Sequence, residues 1–406
     1  MSGVVARFDK TRMIEQEQAI ERILARVRPL PPCEVRLSEA LDRYAARDVL
    51  ARVSLPPFDN SVMDGYAVVA ASCATGVRLT VIGEQPAGLD RQLRVRGGEA
   101  IRIFTGAPMP AGADSVVMQE DVTLEDDTVQ LTTTAESGEF VRPRGGDVAK
   151  GQKILAAGER IRPQTIALLA AQGMDSLQVG ARARIAIIST GDELAAAGDT
   201  LQPGQIYESN SALLEALLRK CRAEVVWVTH CADQPNEIEA AVRRATGECD
   251  ALIISGGVSV GARDYVKSAL AAAGATLDLW RVAVKPGKPF LFGHTDRCAI
   301  FGLPGNPVSA FITFLLFVRP AVLRLMNASD SALALPMSAA RLGEEVHNPG
   351  DRPHYLRGAL SGGVFTPVGR QESHALFGLS RSNALLRLPP GGRLSAGSEA
   401  MVVTWD

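Results

Sequence analysis

At 406 residues the chain is long enough for about two or three folding units, which excludes a single small module. Hydrophobic residues make up 46% of it and charged residues 22%, a globular composition that excludes global disorder. The formal net charge of −2 provides no broad cationic field, so we expect no nucleic-acid partner.

The N-terminal segment predicts a helix and no export signal. It lacks the apolar core of a signal peptide. Four apolar residues then recur at helical spacing: Ile20, Ile23, Leu24 and Val27. They predict an amphipathic helix from Met13 to Arg28, which ends at the prolines that follow. The six cysteines show no CxxC spacing, and we expect reduced thiols in a cytoplasmic protein.

A β-rich unit follows. Short β-prone runs separated by Gly and Pro turns occupy residues 54–147: Val77–Ile82, Ala100–Phe104, Ser115–Gln119 and Val129–Thr132. A helix that begins at Pro163 and closes at Gly173 has the usual arrangement of helix-end residues. We therefore predict an inserted β domain, 54–147, within a mixed linking domain of residues 1–53 and 148–180.

Strands and helices alternate over residues 181–328. Continuously apolar strands in this rhythm predict an α/β domain with a doubly wound, mostly parallel sheet. Val308–Val318 is a mostly apolar segment of only eleven residues before Arg319, whereas a membrane span needs about twenty, so a buried helix and no membrane partner are expected. The turn-rich remainder, residues 329–406, predicts a C-terminal β domain.

Three glycine-bearing loops follow predicted strands and should share one edge of the sheet. The first loop is Thr190–Glu193. The candidate binding residues of the second loop are Gly256, Gly257, Ser259 and Gly261, and those of the third are Pro304, Gly305, Asn306 and Pro307. Glycines allow close backbone approach, and an Asn-Pro helix start aims free amides outward, which indicates binding of phosphate or another oxyanion. Each loop alone could be an ordinary tight turn. The nucleotide motifs GxGxxG and GxxxxGK[ST] are absent, which disfavours a dinucleotide or P-loop enzyme.

Charged residues gather near the same edge. Lys285 and Lys288 lie in a proline-stiffened stretch suited to holding phosphate, or form a solvated basic turn. Four acids are candidate Mg²⁺ ligands, although each could instead cap a loop: Asp192, Glu193, Asp233 and Asp264.

Two further motifs lie outside the sheet domain. Residues 57–67, PFDNSVMDGYA, and 141–148, VRPRGGDV, combine turn formers with both signs of charge. They could close a crevice of their own chain or of a second subunit, or serve as hinges.

Together these segments resemble the molybdopterin molybdenumtransferase family, in order from about residue 10 to the end: PPFDNSVMDGYAV, IRIFTGAPMPAGADSVVMQED, VRPRGGDV, ISTGDEL, ISGGVSVGARDYVK, VKPGKPFLFG and FGLPGNPVSAF. The resemblance implies a homodimer of four-domain subunits, with the sheet domain of one subunit facing the β domain of the other. It also implies insertion of molybdate into adenylylated molybdopterin, with Mg²⁺ and release of AMP. Molybdopterin adenylyltransferase and downstream molybdoenzyme maturation proteins are further possible partners.

The resemblance implies these functional positions: Asp64, Thr105, Arg142, Asp147, Glu193, Asp233, Asp264, Lys285, Pro304, Pro307 and Ser373. The lysines and loop amides would hold the pterin phosphate and the nucleotide, Glu193 and Asp192 the cation, and Arg142 would lie near molybdate. Two positions depart from the family pattern: Arg281 replaces a common Lys, and Gly146 replaces a common Glu.

Two alternatives remain open. The chain could perform the preceding step, adenylylation of molybdopterin, although the added β domain disfavours this. It could also be a non-catalytic scaffold, which the charged set disfavours because a scaffold has no need of metal ligands.

Overall fold

The computed structural model describes residues 13–257 and 265–405. They form two compact units. The larger unit comprises residues 13–47, Ala157–Ile166 and 176–405, and the smaller comprises Asp48–Ala156 and Ala167–Asp175. The predicted multidomain α/β class with β-rich parts is confirmed by their contents.

A six-stranded sheet forms the centre of the larger unit. Its strands are β1 (Arg184–Thr190), β2 (Glu224–Cys231), β3 (Ala251–Ser255), β4 (Thr276–Arg281), β5 (Pro289–His294) and β6 (Ala299–Leu303). The spatial order is β2-β1-β3-β6-β5-β4, and β2, β1, β3 and β6 are parallel. The antiparallel strands β4 and β5 were not predicted. Such strands are common at the edge of a parallel sheet, and here they flank the basic turn of Lys285.

Helices cover both faces of this sheet: α1 (Asn210–Lys220), α2 (Pro235–Glu248), α3 (Tyr265–Ala272) and α4 (Pro307–Leu325). Alternate residues of each central strand face opposite sides, so Ile187 packs with α1 and α4 while Ile188 packs with α2 and α3. Burial on both faces explains why these strands are continuously apolar.

Helix α4 contains the predicted buried segment Val308–Val318. It runs for 19 residues and continues beyond that segment through Arg319 and Pro320. A π-helical turn, Phe314–Val318, directly precedes Arg319 and shifts the hydrogen-bond register where proline cannot donate. By length and composition α4 could cross a membrane, but 89% of its apolar window is buried inside the protein, as in a core helix.

The N-terminal part of the larger unit contributes helix Gln16–Arg26, within the predicted 13–28. Strand Pro32–Arg36 pairs antiparallel with Ser176–Gly180. The predicted helix Pro163–Ala171 is confirmed. The remaining short elements of this unit outside the C-terminal region are Leu37–Glu39, Leu194–Ala195, Ile206–Tyr207 and Asp330–Leu333.

The C-terminal region forms a closed β-barrel, which confirms the predicted β domain. Phe365, Leu386 and Val402 are buried inside it. Its strands are Met337–Leu342, His354–Ser361, Val364–Pro367, Ala384–Leu388 and Glu399–Thr404, accompanied by the pair Val346–His347 and Arg393–Leu394 and by helix Leu376–Ser380.

The smaller unit is β-rich, as predicted, with a six-stranded mixed sheet. In spatial order its strands are Ser115–Met118, Gly65–Val68, Glu99–Ile103, Arg78–Gln85, Thr128–Leu131 and Val122–Glu125. Two strand pairs, Val49–Leu50 with Lys153–Leu155 and Asn60–Ser61 with Val141–Arg142, and two 3₁₀ turns, Ala70–Ser72 and Gln119–Asp121, complete it.

Candidate functional site

The chain leaves the neighbouring strands β1 and β3 in opposite directions, which makes a switch point of the sheet. Helix α1, which follows β1, packs on one face of the sheet, while α3, which follows β3, packs on the other. Ligands of open α/β sheets bind at such a switch point, beyond the carboxyl ends of the strands. The loops after Thr190, Ser255 and Leu303 lie at this edge, as the sequence predicted.

Asn210 ties two of these loops together. Its side-chain amide donates to Ser255 Oγ at 2.8 Å and to the Gly305 carbonyl at 2.7 Å. The residue is 6% exposed. Asn210 was not among the residues predicted from sequence. Its only sequence signal is an amide side chain at the start of a helix that follows a crevice strand.

The glycines of the second loop are needed for close backbone approach. Gly256 has φ +89°, and a Cβ on it would lie 2.5 Å from the Thr190 carbonyl oxygen. A Cβ on Gly257 would lie 2.8 Å from Thr190 Oγ1, a buried hydroxyl with no hydrogen-bond partner in the described structure. Three other predicted residues, Ser259, Gly261 and Asp264, lie outside the described residues.

The third loop is joined to the C-terminal region. Pro304 is buried, and Asn306 and Pro307 begin α4. Asn306 Nδ2 donates to Ser373 Oγ at 2.9 Å, and the Val308 amide donates to the Ser373 carbonyl at 3.1 Å. The expectation that the first amides of α4 all point outward was therefore wrong for Val308, since the Ser373 loop accepts its hydrogen bond.

A buried arginine holds the Ser373 loop. Arg357 is 1% exposed and donates to the carbonyls of Arg370 and Glu372. The Gln371 side chain both accepts from the Arg357 amide at 2.9 Å and donates to its carbonyl at 3.0 Å. Neither residue was predicted from sequence; the only signal was an arginine in the mostly apolar strand HYLRGAL.

Lys285 belongs to a group of positive charges. Its amide donates to Pro353 O at 2.9 Å, and its carbonyl accepts from the Tyr355 amide at 2.8 Å. His354 between them is buried, and its pKa falls to about 4 because of that burial and of the charges on Lys285, Arg357 and Arg352. His354 is therefore neutral near pH 7. Of the three cations around it, Arg352 pairs with Asp351 at 3.4 Å.

The turn after Lys285 packs on α4. A Cβ on Gly287 would lie 2.7 Å from Thr313 Cγ2, and Lys288 is exposed on the same turn. The structure therefore brings the basic turn beside the helix that starts in the third loop.

The acids lie at the ends of β1 and β2. Asp192 Oδ1 accepts the Asp233 amide at 3.0 Å, and the Glu193 carboxylate folds over Gly191, where a Cβ would lie 2.6 Å from Oε2. Within residues 13–257 and 265–405 no three His, Cys, Asp or Glu residues form a group able to hold a metal. One oxygen of Asp192 thus serves the loop, as the capping alternative expected.

In the smaller unit three loops form one cluster, here called the loop cluster: residues 56–64, 104–109 and 141–147. Arg144 N donates to Asp59 Oδ1 at 2.7 Å, and the Gly106 amide donates to the Ser61 carbonyl at 2.8 Å. Arg142 pairs in register with Asn60. The cluster joins four residues predicted from sequence: Asp64, Thr105, Arg142 and Asp147.

Asp64 and Thr105 contact each other directly. Asp64 Oδ1 accepts both the Thr105 amide at 2.7 Å and its hydroxyl at 2.8 Å. These hydrogen bonds, and then the charge of Arg102, lower the pKa of Asp64 below its usual range. The carboxylate is therefore ionised at neutral pH on the open surface of the cluster.

We expect Asn210→Ala to loosen the crevice as well as to destabilise the fold. Losing two hydrogen bonds should lower the free energy of unfolding by about 1–3 kcal/mol. Backbone hydrogen exchange should accelerate at the Gly256 amide, which bonds the Leu303 carbonyl at 3.2 Å. Asn348→Ala is the matched control, since Asn348 is a buried barrel asparagine that also donates to carbonyls. If both variants left Gly256 exchange equally slow, Asn210 would not hold the loops.

The fold and site define a multidomain protein with a doubly wound sheet whose glycine-bearing loops meet beyond the carboxyl ends of its parallel strands. Residues 14–173 match the MoeA N-terminal region (domain I and II), 186–324 a probable molybdopterin binding domain, and 339–405 the MoeA C-terminal region (domain IV). The class is therefore that of proteins with a molybdopterin binding domain. More particularly, the chain belongs to the MoeA family, that of the molybdopterin molybdenumtransferases.

Relatives and solved structures match nearly the full chain. The molybdopterin molybdenumtransferase of Haemophilus influenzae is 35% identical, over 96% of this chain and 98% of that protein. Molybdopterin molybdenumtransferase 2 of Mycobacterium tuberculosis is 36% identical over 97% and 99%. The crystal structure of the molybdopterin biosynthesis MoeA protein from Pyrococcus horikoshii has a TM-score of 0.83 at 30% identity, covering 97% of this chain and all of that one.

Proposed function

We propose that this protein inserts molybdate into adenylylated molybdopterin, with release of AMP. The observation that carries the proposal is the joining of the three crevice elements by Asn210, Asn306 and Ser373 at the switch point of the sheet. The names of the relatives support transfer of molybdenum to molybdopterin, the family resemblance implies the adenylylated substrate and the release of AMP, and the loops would supply a place for anionic groups.

In this proposal the chain acts by binding and orienting two anions. Molybdate and the pyrophosphate-linked pterin repel each other in water, and Lys285, Lys288 and Arg352 would offset that repulsion. Amides of the glycine loops, Gly256, Gly257 and Gly305, would contact phosphate oxygens without a side chain in the way. Ser373 is held at the mouth of the third loop and would contribute a hydroxyl donor. Positioning of this kind needs no covalent nucleophile.

Mg²⁺ is part of the proposal. The donor set consists of hard carboxylate oxygens on Asp192 and Glu193, with Asp233 adjacent through its amide. One or two carboxylates together with phosphate oxygens and waters are the usual ligands of Mg²⁺, so the chemistry of these residues fits it. The ion would neutralise phosphate charge, while the protein residues orient the groups around it.

The loop cluster would complete the site in a cytoplasmic homodimer. Asp64, Thr105, Arg142 and Asp147 of one subunit would face the crevice of its partner, as the family resemblance implies. We also propose the four-domain division 1–53 with 148–180, 54–147, 181–328 and 329–406, and transient contact with the enzymes that act before and after this one.

The decisive experiment measures AMP release from adenylylated molybdopterin by the purified chain, with molybdate and Mg²⁺ each present or absent. Release that requires both supports the proposal. Binding without release would contradict it and favour a scaffold, whereas formation of the adenylylated pterin from ATP would mean that the chain acts one step earlier.

A mixture of two inactive variants tests whether the site is shared between subunits. We expect Asp64→Ala and Gly256→Ala to be inactive alone. Hybrid dimers made by unfolding and refolding them together should regain about a quarter of wild-type turnover, since half the dimers are mixed and each has one intact site. The control refolds each variant separately. No recovery in hybrids of verified mixed composition would mean that each site is formed within one subunit.

A further inference from the structure

The guanidinium group of Arg102 in the smaller unit lies over two aromatic rings beside the loop cluster. Arg102 lies on strand Glu99–Ile103, opposite Tyr66 in the antiparallel register. Its Cζ is 5.0 Å from the centroid of the Tyr66 ring and 5.4 Å from that of Phe104. Guanidinium groups stack on aromatic faces at such distances, and the stacking keeps the charged plane in one orientation.

Within residues 13–257 and 265–405, most hydrogen-bonding capacity of Arg102 is unused. Its Nη2 donates to Gln119 Oε1 at 2.6 Å, which is one of the five N–H donors of a guanidinium. Across the described residues no carboxylate oxygen lies within 4.0 Å of it, whereas Arg78 on the neighbouring strand pairs with Glu125 at 3.0 Å. Arg102 is thus an orientated cation with free donors and no anionic partner.

Gln119 connects Arg102 to the candidate residues. Its amide donates to the Asp64 carbonyl at 3.1 Å, while its side chain accepts from Arg102. The charge of Arg102 is close enough to lower the pKa of the Asp64 carboxyl. Asp64 Oδ1 accepts from Thr105, and in the described part of the chain no hydrogen bond joins the Asp64 carboxylate to Arg102.

We propose that Arg102 binds an oxygen of a tetrahedral oxyanion of the substrates, a phosphate group or molybdate, at the loop cluster, and that Gln119 positions it. This inference rests on the proposed function for the identity of the oxyanion. The planar fork of Arg suits two oxygens of one such anion, and the aromatic rings restrict it to that geometry before the ligand arrives.

The test measures anion binding directly as well as turnover. Calorimetry of the full chain gives Kd for sodium molybdate and for inorganic pyrophosphate separately, which distinguishes the two sources of oxyanion. Arg102→Gln should weaken one of them about tenfold or more, as expected for a charge-assisted hydrogen bond. Arg102→Lys keeps the charge without the fork and should weaken it less. Gln119→Ala should raise the same Kd with an unchanged salt dependence, since no charge is lost.

The matched control is Arg78→Gln, which removes an equal charge from the same sheet and should leave both Kd values unchanged. Thermal melting distinguishes a structural role of Arg102 from a binding role. A purely structural role would lower the Tm of the variant without changing the Kd of the folded protein. If Arg102→Gln does not fold, Arg102→Lys decides. Wild-type affinity for both anions in the folded variants, or no binding of either anion by the wild type, overturns the proposal. Binding is measured without turnover, so failure of the AMP-release reaction is a distinguishable result.

Discussion

Gly256→Ala is expected to lower AMP release at least a hundredfold. The new Cβ would lie 2.5 Å from the Thr190 carbonyl oxygen, a backbone atom that cannot rotate away, and φ +89° is itself strained for alanine. The loop must therefore shift where β1 and β3 end, and a displacement of about 1 Å can cost about a hundredfold in rate. Steady-state turnover with adenylylated molybdopterin and molybdate measures this.

Gly274→Ala is the matched control. Gly274 has φ +75° in the same unit, but a Cβ there meets nothing within 4 Å. It should therefore cost about 1–2 kcal/mol of stability through strain alone and leave turnover near that of the wild type. Equal turnover in both variants would show that close approach of the two loops is irrelevant to activity.

Phe317→Ala is expected to lower the free energy of unfolding of the larger unit by about 3–5 kcal/mol. Phe317 is fully buried in α4, within the core shared with β5, and its ring centroid lies 4.7 Å from that of Phe290. Truncation removes apolar contacts and leaves a cavity that the surrounding sheet and helix can fill only partly. All three tryptophans belong to the larger unit, so their fluorescence in urea follows its unfolding.

Phe377→Ala is the matched control, because it removes the same phenyl ring from an exposed position. Phe377 is 75% exposed, and Arg381 Cζ lies 5.6 Å from its ring centroid. The expected change is below about 1 kcal/mol. A similar cost for both variants, or a cost below 1 kcal/mol for Phe317, would contradict the assignment of α4 as the core helix.

The parts of the molecule predicted correctly from sequence are those specified by local patterns. Apolar runs such as RIAIIS and ALIIS predict buried parallel strands because both of their faces must be covered. The Pro-first helix Pro163–Ala171 is confirmed for a similarly local reason. The edge on which the glycine loops meet also follows from sequence, since parallel strands share one carboxyl edge.

The sequence left two features of the sheet domain unspecified. Helix α4 continues through Arg319 and Pro320, where a π-helical turn precedes them and the surrounding core buries the helix. The sequences of strands β4 and β5 show no clear alternation of apolar and polar residues. These strands form because β6 pairs with β5 and β5 in turn pairs with β4.

The sequence by itself determined the family, the α/β class and the set of loops that carry glycines and charges. Tertiary structure alone decided which polar side chains organise them: Asn210, Arg357, Gln119 and Arg102. Asn210 contacts Gly305 across 95 positions of the chain, and Arg357 meets the Ser373 loop only after a barrel strand and its turn are formed. Each of these contacts depends on register and strand order, which a linear pattern does not contain, because hydrogen bonds between distant residues are specified by the packing of whole elements.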